Sequence, residues 1–302
     1  MSTLPDVQIG DAIRHGALSV FPLFGSSSAG VDYLLSDEAI SAGSVTVEEV
    51  SEGGSVPNLL VTNQGDSRVL FLEGEELRGA KQNRVLNTSV LIAAHSKTPI
   101  PVSCVEQGRW RYRSRQFEPS GSHSSSKLRH HLKASVSRSL KEGRGHSSDQ
   151  GAVWTEVSRQ RDSLGSSSDT AAMSDTYLSF SAPLAEFRES VGYVEGAIGI
   201  AVAVGKKVVA LDVFDKPSTC AKVWDRLLTG VVMDALEADS SAPSAEPTEV
   251  ERLLARFRDS AWEPISPVGV GQEFRFDADS ETHASALVFQ DSVLHGSVVV
   301  AS

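Results

Sequence analysis

Between residues 18 and 106 the chain falls into short β-prone runs, at 18–23, 33–35, 45–50, 59–62, 68–72, 84–93 and 100–106, punctuated by Gly, Ser, Asn and Pro. No helical pattern of ten or more residues separates any two of them. Parallel neighbours need a long crossover, usually a helix, so these runs are expected to pair antiparallel. Strand-like runs return at 199–204, 208–214, 273–276, 286–289 and 296–300. With strands at both ends and helical patterns between them, the expectation is a single α+β domain over residues 1–302. Its core is an antiparallel, sandwich-like β structure in which late strands complete the early sheet.

The helices are legible from their stripes. Cys220, Val223, Trp224, Leu227, Leu228 and Val231 repeat as a wide apolar face, after Asp215 as the expected N-cap and Pro217 in the first turn. A polar linker at 238–247 precedes a C-terminal helix around 250–257, and Gly205-Lys206-Lys207 is expected to close a hairpin. Residues 114–181 differ in kind, since 19 of these 68 are serine. Inside them Leu128, Leu132, Val136 and Leu140 recur at i+4, and Val153, Trp154, Val157 and Leu164 follow Ser147 and Gln150, which have capping-box spacing. This segment is expected to be a Ser-rich, basic helical insertion.

Charge sharpens that expectation. With 28 Lys+Arg against 39 Asp+Glu the net charge is −11, which argues against broad coating of nucleic acid, because that needs a surplus of cations. Residues 109–144, however, hold ten Lys/Arg and two acids, a local +8 that leaves −19 elsewhere. Arg109, Arg111, Arg113 and Arg115 alternate with Trp110 and Tyr112, which in a strand puts four arginines on one face. Such a surplus suits acidic groups within the protein or on a second subunit, and the narrow stripe of residues 128–140 suits one neighbour, including its own copy; a homo-oligomer is expected. Cys104 and Cys220 form no disulfide or zinc pattern. The first residues lack signal-peptide character and no run is long and apolar enough for a span, so a cytoplasmic protein with no membrane partner is expected.

The densest chemistry lies at 71–110. In an extended chain Glu73 and Glu75 share one face, Gln82 and Arg84 share another, Asn83 pairs with Asn87, and Cys104 pairs with Glu106. Gly74 and Gly79 flank the acids where the backbone needs close approach. Glu, Gln, Asn and Arg converging from adjacent strands suit a ligand bearing hydroxyls and phosphate, with Arg84 or Arg109 as the anion clamp and Trp110 as a stacking surface. Glu75 or Glu106 is the candidate general acid or base, and Cys104 is either a nucleophile or a buried structural thiol. Glu73, Glu75 and Glu106 lack metal-site spacing, so no metal ligands are assigned. His123, His130, His131 and His146 fall in the basic segment and are expected to face solvent. No Walker, GxSxG or HExxH pattern is present, and Gly269 and Gly271 precede a strand rather than a helix.

The runs LEGEELRGAKQNRVLNTSVLIAA, IPVSCVEQGRW and IGIAVAVGKKVVALDVF resemble the ARG and rhodanese-phosphatase-superfamily-associated protein domain, a prokaryotic family. The resemblance covers about residues 15–112 and 183–300. It implies a link to NAD or ADP-ribose metabolism, through association with ADP-ribosylglycohydrolases and phosphatase-like proteins. On matching positions it carries over Glu73, Glu75, Gln82, Asn83, Arg84, Cys104, Glu106, Arg109, Trp110 and Asp212 as site candidates. The function expected is binding or processing of a phosphate-bearing nucleotide; the alternative is a noncatalytic interaction module whose basic segment docks an acidic partner.

Overall fold

The computed structural model describes residues 6–26, 30–51, 53, 57–258 and 260–301. In chain order its elements are β1 (Val7–Ile9), β2 (Ile13–His15), β3 (Leu18–Gly25), β4 (Tyr33–Leu35), α1 (Ser36–Ser41), β5 (Val45–Glu49), β6 (Asn58–Asn63), β7 (Arg68–Phe71), β8 (Glu75–Gly79), β9 (Arg84–Leu86), β10 (Val90–Ile92), β11 (Ser96–Cys104) and β12 (Phe117–His123). The helical stretch is α2 (Ser126–Lys141), α3 (Gln150–Ser163), α4 (Met173–Ser179) and α5 (Ser181–Ser190). Then follow β13 (Gly199–Val204), β14 (Lys207–Phe214), α6 (Pro217–Leu236), α7 (Pro247–Arg258), β15 (Glu263–Ile265), β16 (Gln272–Asp277), β17 (Thr282–Phe289) and β18 (Ser292–Val300).

The fold is α+β with antiparallel sheets at its core. A nine-stranded sheet runs β1-β3-β13-β14-β18-β17-β16-β15, with β2 also on β3, and a six-stranded sheet runs β12-β8-β9-β11-β6-β5. Late strands do complete the early sheet: β3 pairs with β13 from Leu18↔Val204 to Leu23↔Gly199. A small third sheet, β10-β7-β4, contains a parallel pair, Tyr33↔Arg68 to Leu35↔Leu70. The antiparallel expectation missed it because the crossover is built from α1, β5 and β6 instead of one long helix.

α2 and α6 pack on one face of the nine-stranded sheet, and α7 covers the other. α6 touches β12 on one side and β13 and β14 on the other, while α2 lies against β16, β17, β18 and α3. Fourteen of the 20 residues of α6 are buried, which is why its sequence is apolar around most of its circumference. Leu128 and Leu132 of α2 join the same large core as Val153 and Val157 of α3, and Val136 is buried as well, so the narrow stripe is used within the chain. The basic surplus also finds internal partners: Lys127 pairs with Glu237 at 2.7 Å, Lys141 with Asp277 at 2.8 Å, and Arg129 and Lys133 are buried against acids.

Local expectations need correcting where side chains compete for backbone groups. Residues 109–115 do not form a strand bearing four arginines; they are a loop between β11 and β12. The Arg109 side chain occupies the carbonyls of Ala80 (2.6 Å) and Arg111 (2.9 Å), groups that a strand would use for pairing. The run at 84–93 divides into β9 and β10. Asp149, not Ser147, caps α3, accepting from the Ala152 amide at 3.1 Å, because Gln150 is bonded in both directions to the backbone of Cys104 at 2.8 Å. Lys216 stands at the N-cap of α6; Asp215 instead accepts from the Tyr33 hydroxyl at 2.5 Å. His123 and His146 are not on the surface: His123 is buried and His146 meets Glu273 at 2.7 Å.

Gly230 fixes how closely α6 approaches the six-stranded sheet. A Cβ there meets the Ser124 carbonyl oxygen at 2.1 Å and that of His123 at 2.8 Å, both backbone atoms. In an exposed helix Gly→Ala stabilises by about 1 kcal/mol. Here Gly230→Ala is expected to reverse that sign and destabilise by about 1–3 kcal/mol through overpacking, measured as a lowered urea midpoint. An unchanged or raised midpoint contradicts this packing.

Candidate functional site

An open cleft of about 760 Å³ forms where the β11–β12 loop faces the segment leading into α4, and its walls include Asn83, Glu106, Arg109, Tyr112, Thr170 and Ser174. Two features bring these distant segments together. Glu106 bridges to Ala172, with the Met173 amide donating to the Val105 carbonyl at 2.9 Å. Beside it the Gly108 amide donates to the Thr170 carbonyl at 2.7 Å. The floor is held by the Asn83 side-chain amide, which donates to the Ser174 hydroxyl at 3.1 Å.

Glu106 and Arg109 form the tightest pair. Arg109 Nε donates to Glu106 Oε1 at 2.8 Å and Nη2 to Oε2 at 2.6 Å, the bidentate geometry that suits guanidinium and carboxylate. Oε1 also accepts from the Thr170 hydroxyl at 2.9 Å, and Oε2 from the Asn83 amide at 3.0 Å. Burial works against the charge of Glu106, but these donors hold its carboxyl below the usual carboxylate range. Arg109 is equally occupied, since its remaining N–H groups reach the carbonyls of Ala80, Arg111 and Gly79. The pair fastens the loop. The exposed guanidinium groups at the cleft belong to Arg111 and Arg113, which have no ion-pair partner among the described residues.

The other predicted residues lie outside the lining of this cleft. Arg84 is fully buried; its Nη1 donates to the Gln82 carbonyl at 3.0 Å, its Nη2 lies 3.5 Å from Glu49, and the half-exposed Trp110 ring covers its guanidinium at 5.7 Å. Gln82 is buried and accepts from Arg84 at 3.4 Å. Cys104 is buried near Arg84 and Glu49, and burial pushes its thiol up, away from the thiolate. Glu73 and Glu75 do not share a strand face, because a turn at Glu73-Gly74, with Gly74 at φ 81°, separates β7 from β8. Glu75 turns to the Ser36 hydroxyl at 3.0 Å and the Leu72 amide at 3.2 Å, and burial raises its carboxyl. It does not meet Glu106 in one pocket.

Glu73 and Asp212 belong to a second, wholly buried polar assembly. Lys133 pairs with Glu73 and donates to the Ser285 hydroxyl at 2.5 Å. Arg129 grips Asp212 with Nη1 at 2.9 Å and Nη2 at 2.6 Å, and Asp212 is joined by His295 Nε2 at 3.0 Å. Asp212 thus sits mid-strand in an ion pair rather than capping a turn. Burial opposes its charge, yet Arg129 and His295 hold it well below the ordinary range. Lys133 is lowered to about 8, first by burial, against the pull of Glu73.

Sequence reasoning missed Thr170, Ser174, Asp175 and Glu76. The first three are ordinary members of a Ser-rich stretch, more than 60 residues from Glu106, and carry no spacing signal. Glu76 is buried behind the floor, its Oε1 3.5 Å from the Asn83 side-chain nitrogen. Among the described residues no group of three or more His, Cys, Asp or Glu is placed to hold a metal ion, and no helix is long and apolar enough to cross a membrane.

Fold and site together define an α+β protein with antiparallel sheets and an open polar cleft beside a loop fastened by Glu106 and Arg109. The chain matches the ARPP-1 domain, the ARG and Rhodanese-Phosphatase-superfamily-associated Protein domain, over residues 6–299, and it belongs to that family. No curated protein and no solved structure matches it.

Burial pushes Glu76 up from 4.5 to about 7, with the Glu106 and Asp175 charges acting in the same direction. The folded protein therefore holds this proton more tightly than the unfolded chain does. Its contribution to stability is complete below pH 4.5 and is lost as pH rises toward 7. Glu76→Gln, having no proton to lose, should gain stability relative to the parent across that interval, read from urea midpoints at several pH values. A pH-independent difference between the two proteins counts against the shift.

Proposed function

We propose that the cleft beside Asn83 and Tyr112 binds a phosphate-bearing nucleotide of the ADP-ribose class. The observation that carries this reading is the pair of exposed arginines, Arg111 and Arg113, displayed on a fastened loop at the wall of a cleft of about 760 Å³. That volume falls in the range of about 300–1,000 Å³ that small-molecule sites occupy. Cationic guanidinium groups suit phosphate oxygens. The Asn83, Ser174 and Thr170 side chains offer hydroxyl and amide partners for ribose, and Tyr112, about half exposed, supplies an aromatic face for a base. The family's name supports an ADP-ribose context.

Binding is favoured over chemistry. Glu106 accepts four hydrogen bonds and Arg109 has its N–H groups engaged, so both act as positioning residues that shape the loop. Phosphate recognition thereby passes from Arg84 and Arg109 to Arg111 and Arg113, and stacking from Trp110 to Tyr112.

Thermal shift and calorimetry with ADP-ribose, AMP and NAD test the reading. ADP-ribose is expected to raise the melting temperature of the parent, because a ligand specific to the native state stabilises it. Replacing Arg111 and Arg113 together by Ala should weaken binding by roughly tenfold or more, the loss of a charge-assisted contact. Arg115→Ala, outside the cleft wall, should leave binding unchanged. No nucleotide-dependent shift in the parent overturns the nucleotide reading; binding that is indifferent to Arg111 and Arg113 overturns this location for it.

A further inference from the structure

On another side of the molecule, a more enclosed cavity of about 250 Å³ lies between the C-terminal end of α2 and strands β15 and β16. Its walls include Leu140 and Lys141 from α2, Glu263 and Ile265 from β15, and Arg275 and Asp277 from β16. The charges balance: two cations, two anions, with aliphatic side chains between them. At about 30 Å³ per water, the cavity holds on the order of eight waters, the size of a small metabolite rather than a nucleotide.

The placement of opposite charges is regular. Arg275 and Asp277 are two residues apart on β16, so their side chains leave the strand on the same face, about 6.6 Å apart at the backbone. Arg275 is buried, with Nε on Glu273 at 2.8 Å, but its Nη1 and Nη2 contacts to Ser137 and Thr88 are long, at 3.4 and 3.3 Å. Each Nη carries two N–H groups, so donors remain for an anion. Asp277 receives the ammonium of Lys141 at 2.8 Å. Lys141 is mostly exposed and reaches in from the rim, so its ammonium marks where a ligand's ammonium can sit in its place. Asp277 is itself held ionised: burial opposes this, but His283 and Lys141 keep it well below the usual range.

This arrangement selects against singly charged ligands. A lone carboxylate on Arg275 adds a third anion beside Asp277 and Glu263, and a lone amine on Asp277 displaces Lys141 without offering Arg275 an anion. A molecule carrying both charged groups on one carbon satisfies the two ends with one hydrogen bond at each. We propose that this cavity is a binding site for a small aliphatic α-amino acid, its carboxylate on Arg275, its ammonium on Asp277 and Glu263, and its side chain against Leu140 and Ile265. The site shares no lining residue with the nucleotide cleft and stands or falls separately from it.

Calorimetry and saturation-transfer NMR on the full chain, with L-leucine as the probe, test the proposal against isocaproate and isopentylamine, which each lack one of its charges. Leucine is expected to bind saturably at millimolar or lower concentration, with each singly charged analogue weaker by roughly tenfold or more. Ile265→Trp, which fills the cavity, should abolish leucine binding; Ala261→Trp, at an exposed position on the same wall, is the second blocking variant should the first fail to fold. Circular dichroism checks the fold of both. Absence of leucine binding to the parent overturns the proposal, as does isocaproate or isopentylamine binding as tightly as leucine, or full leucine affinity in a folded blocking variant.

Discussion

Arg129 and Lys133, one helical turn apart on α2, are buried between the sheets, and the protein is organised around neutralising them. Glu73, from the turn between β7 and β8, meets Lys133; Asp212, from the middle of β14, meets Arg129. Glu73 precedes a strand of the six-stranded sheet and Asp212 belongs to the nine-stranded one, so the two cations join both halves. Removing one member of a buried pair leaves a charge without solvent or partner, typically at a cost of 3–5 kcal/mol. Serine completes the assembly: Ser285 serves Lys133, Ser297 serves Arg129, and Ser89 lies 2.7 Å from His295. Small hydroxyls satisfy the remaining donors without demanding volume, which gives the abundance of serine in this chain a structural use.

The cleft depends on a similar economy at a different scale. Arg109 places its N–H groups on Glu106 and on three backbone carbonyls, so the loop that follows is shaped before any ligand arrives. A loop already held in its bound shape loses less entropy on association. Gly79 permits this closeness: it has φ 135°, and a Cβ there meets the Gln116 carbonyl oxygen at 2.6 Å. Lys in place of Arg109 lacks the planar fork needed to hold a carboxylate and several carbonyls at once.

Much of the architecture was legible because it follows from periodicity. The hairpin of β13 and β14, the stripe of α6 and the closing strands each announce themselves through apolar spacing. The parallel pair of β4 and β7 does not, since its crossover has no helical signature, and neither does the loop at 109–115, whose alternating Arg and aromatic residues imitate a strand. The concentration of polar residues at 71–110 did locate the wall of the cleft through Asn83, Glu106 and Arg109. It also grouped Glu73, Glu75 and Arg84 with them, because spacing along a strand reveals neither the turn at Gly74 that parts Glu73 from Glu75 nor the burial of Arg84 beneath Trp110. Thr170 and Ser174 come from a segment whose composition resembles a linker, and only the bridge from Ala172 to Glu106 brings them in.

The pairing of β3 with β13 has a consequence for how the chain is made. Leu18 waits for Val204, so an early strand cannot find its central partner until nearly two hundred further residues exist. At ribosomal rates of about 5–20 residues per second, that delay is on the order of ten seconds or more. Until then β3, with six consecutive buried positions from Leu18 to Leu23, presents an apolar edge on the nascent chain. The six-stranded sheet draws all its strands from residues 45–123 and can assemble first, which makes the C-terminal half a closing reaction on an already folded base.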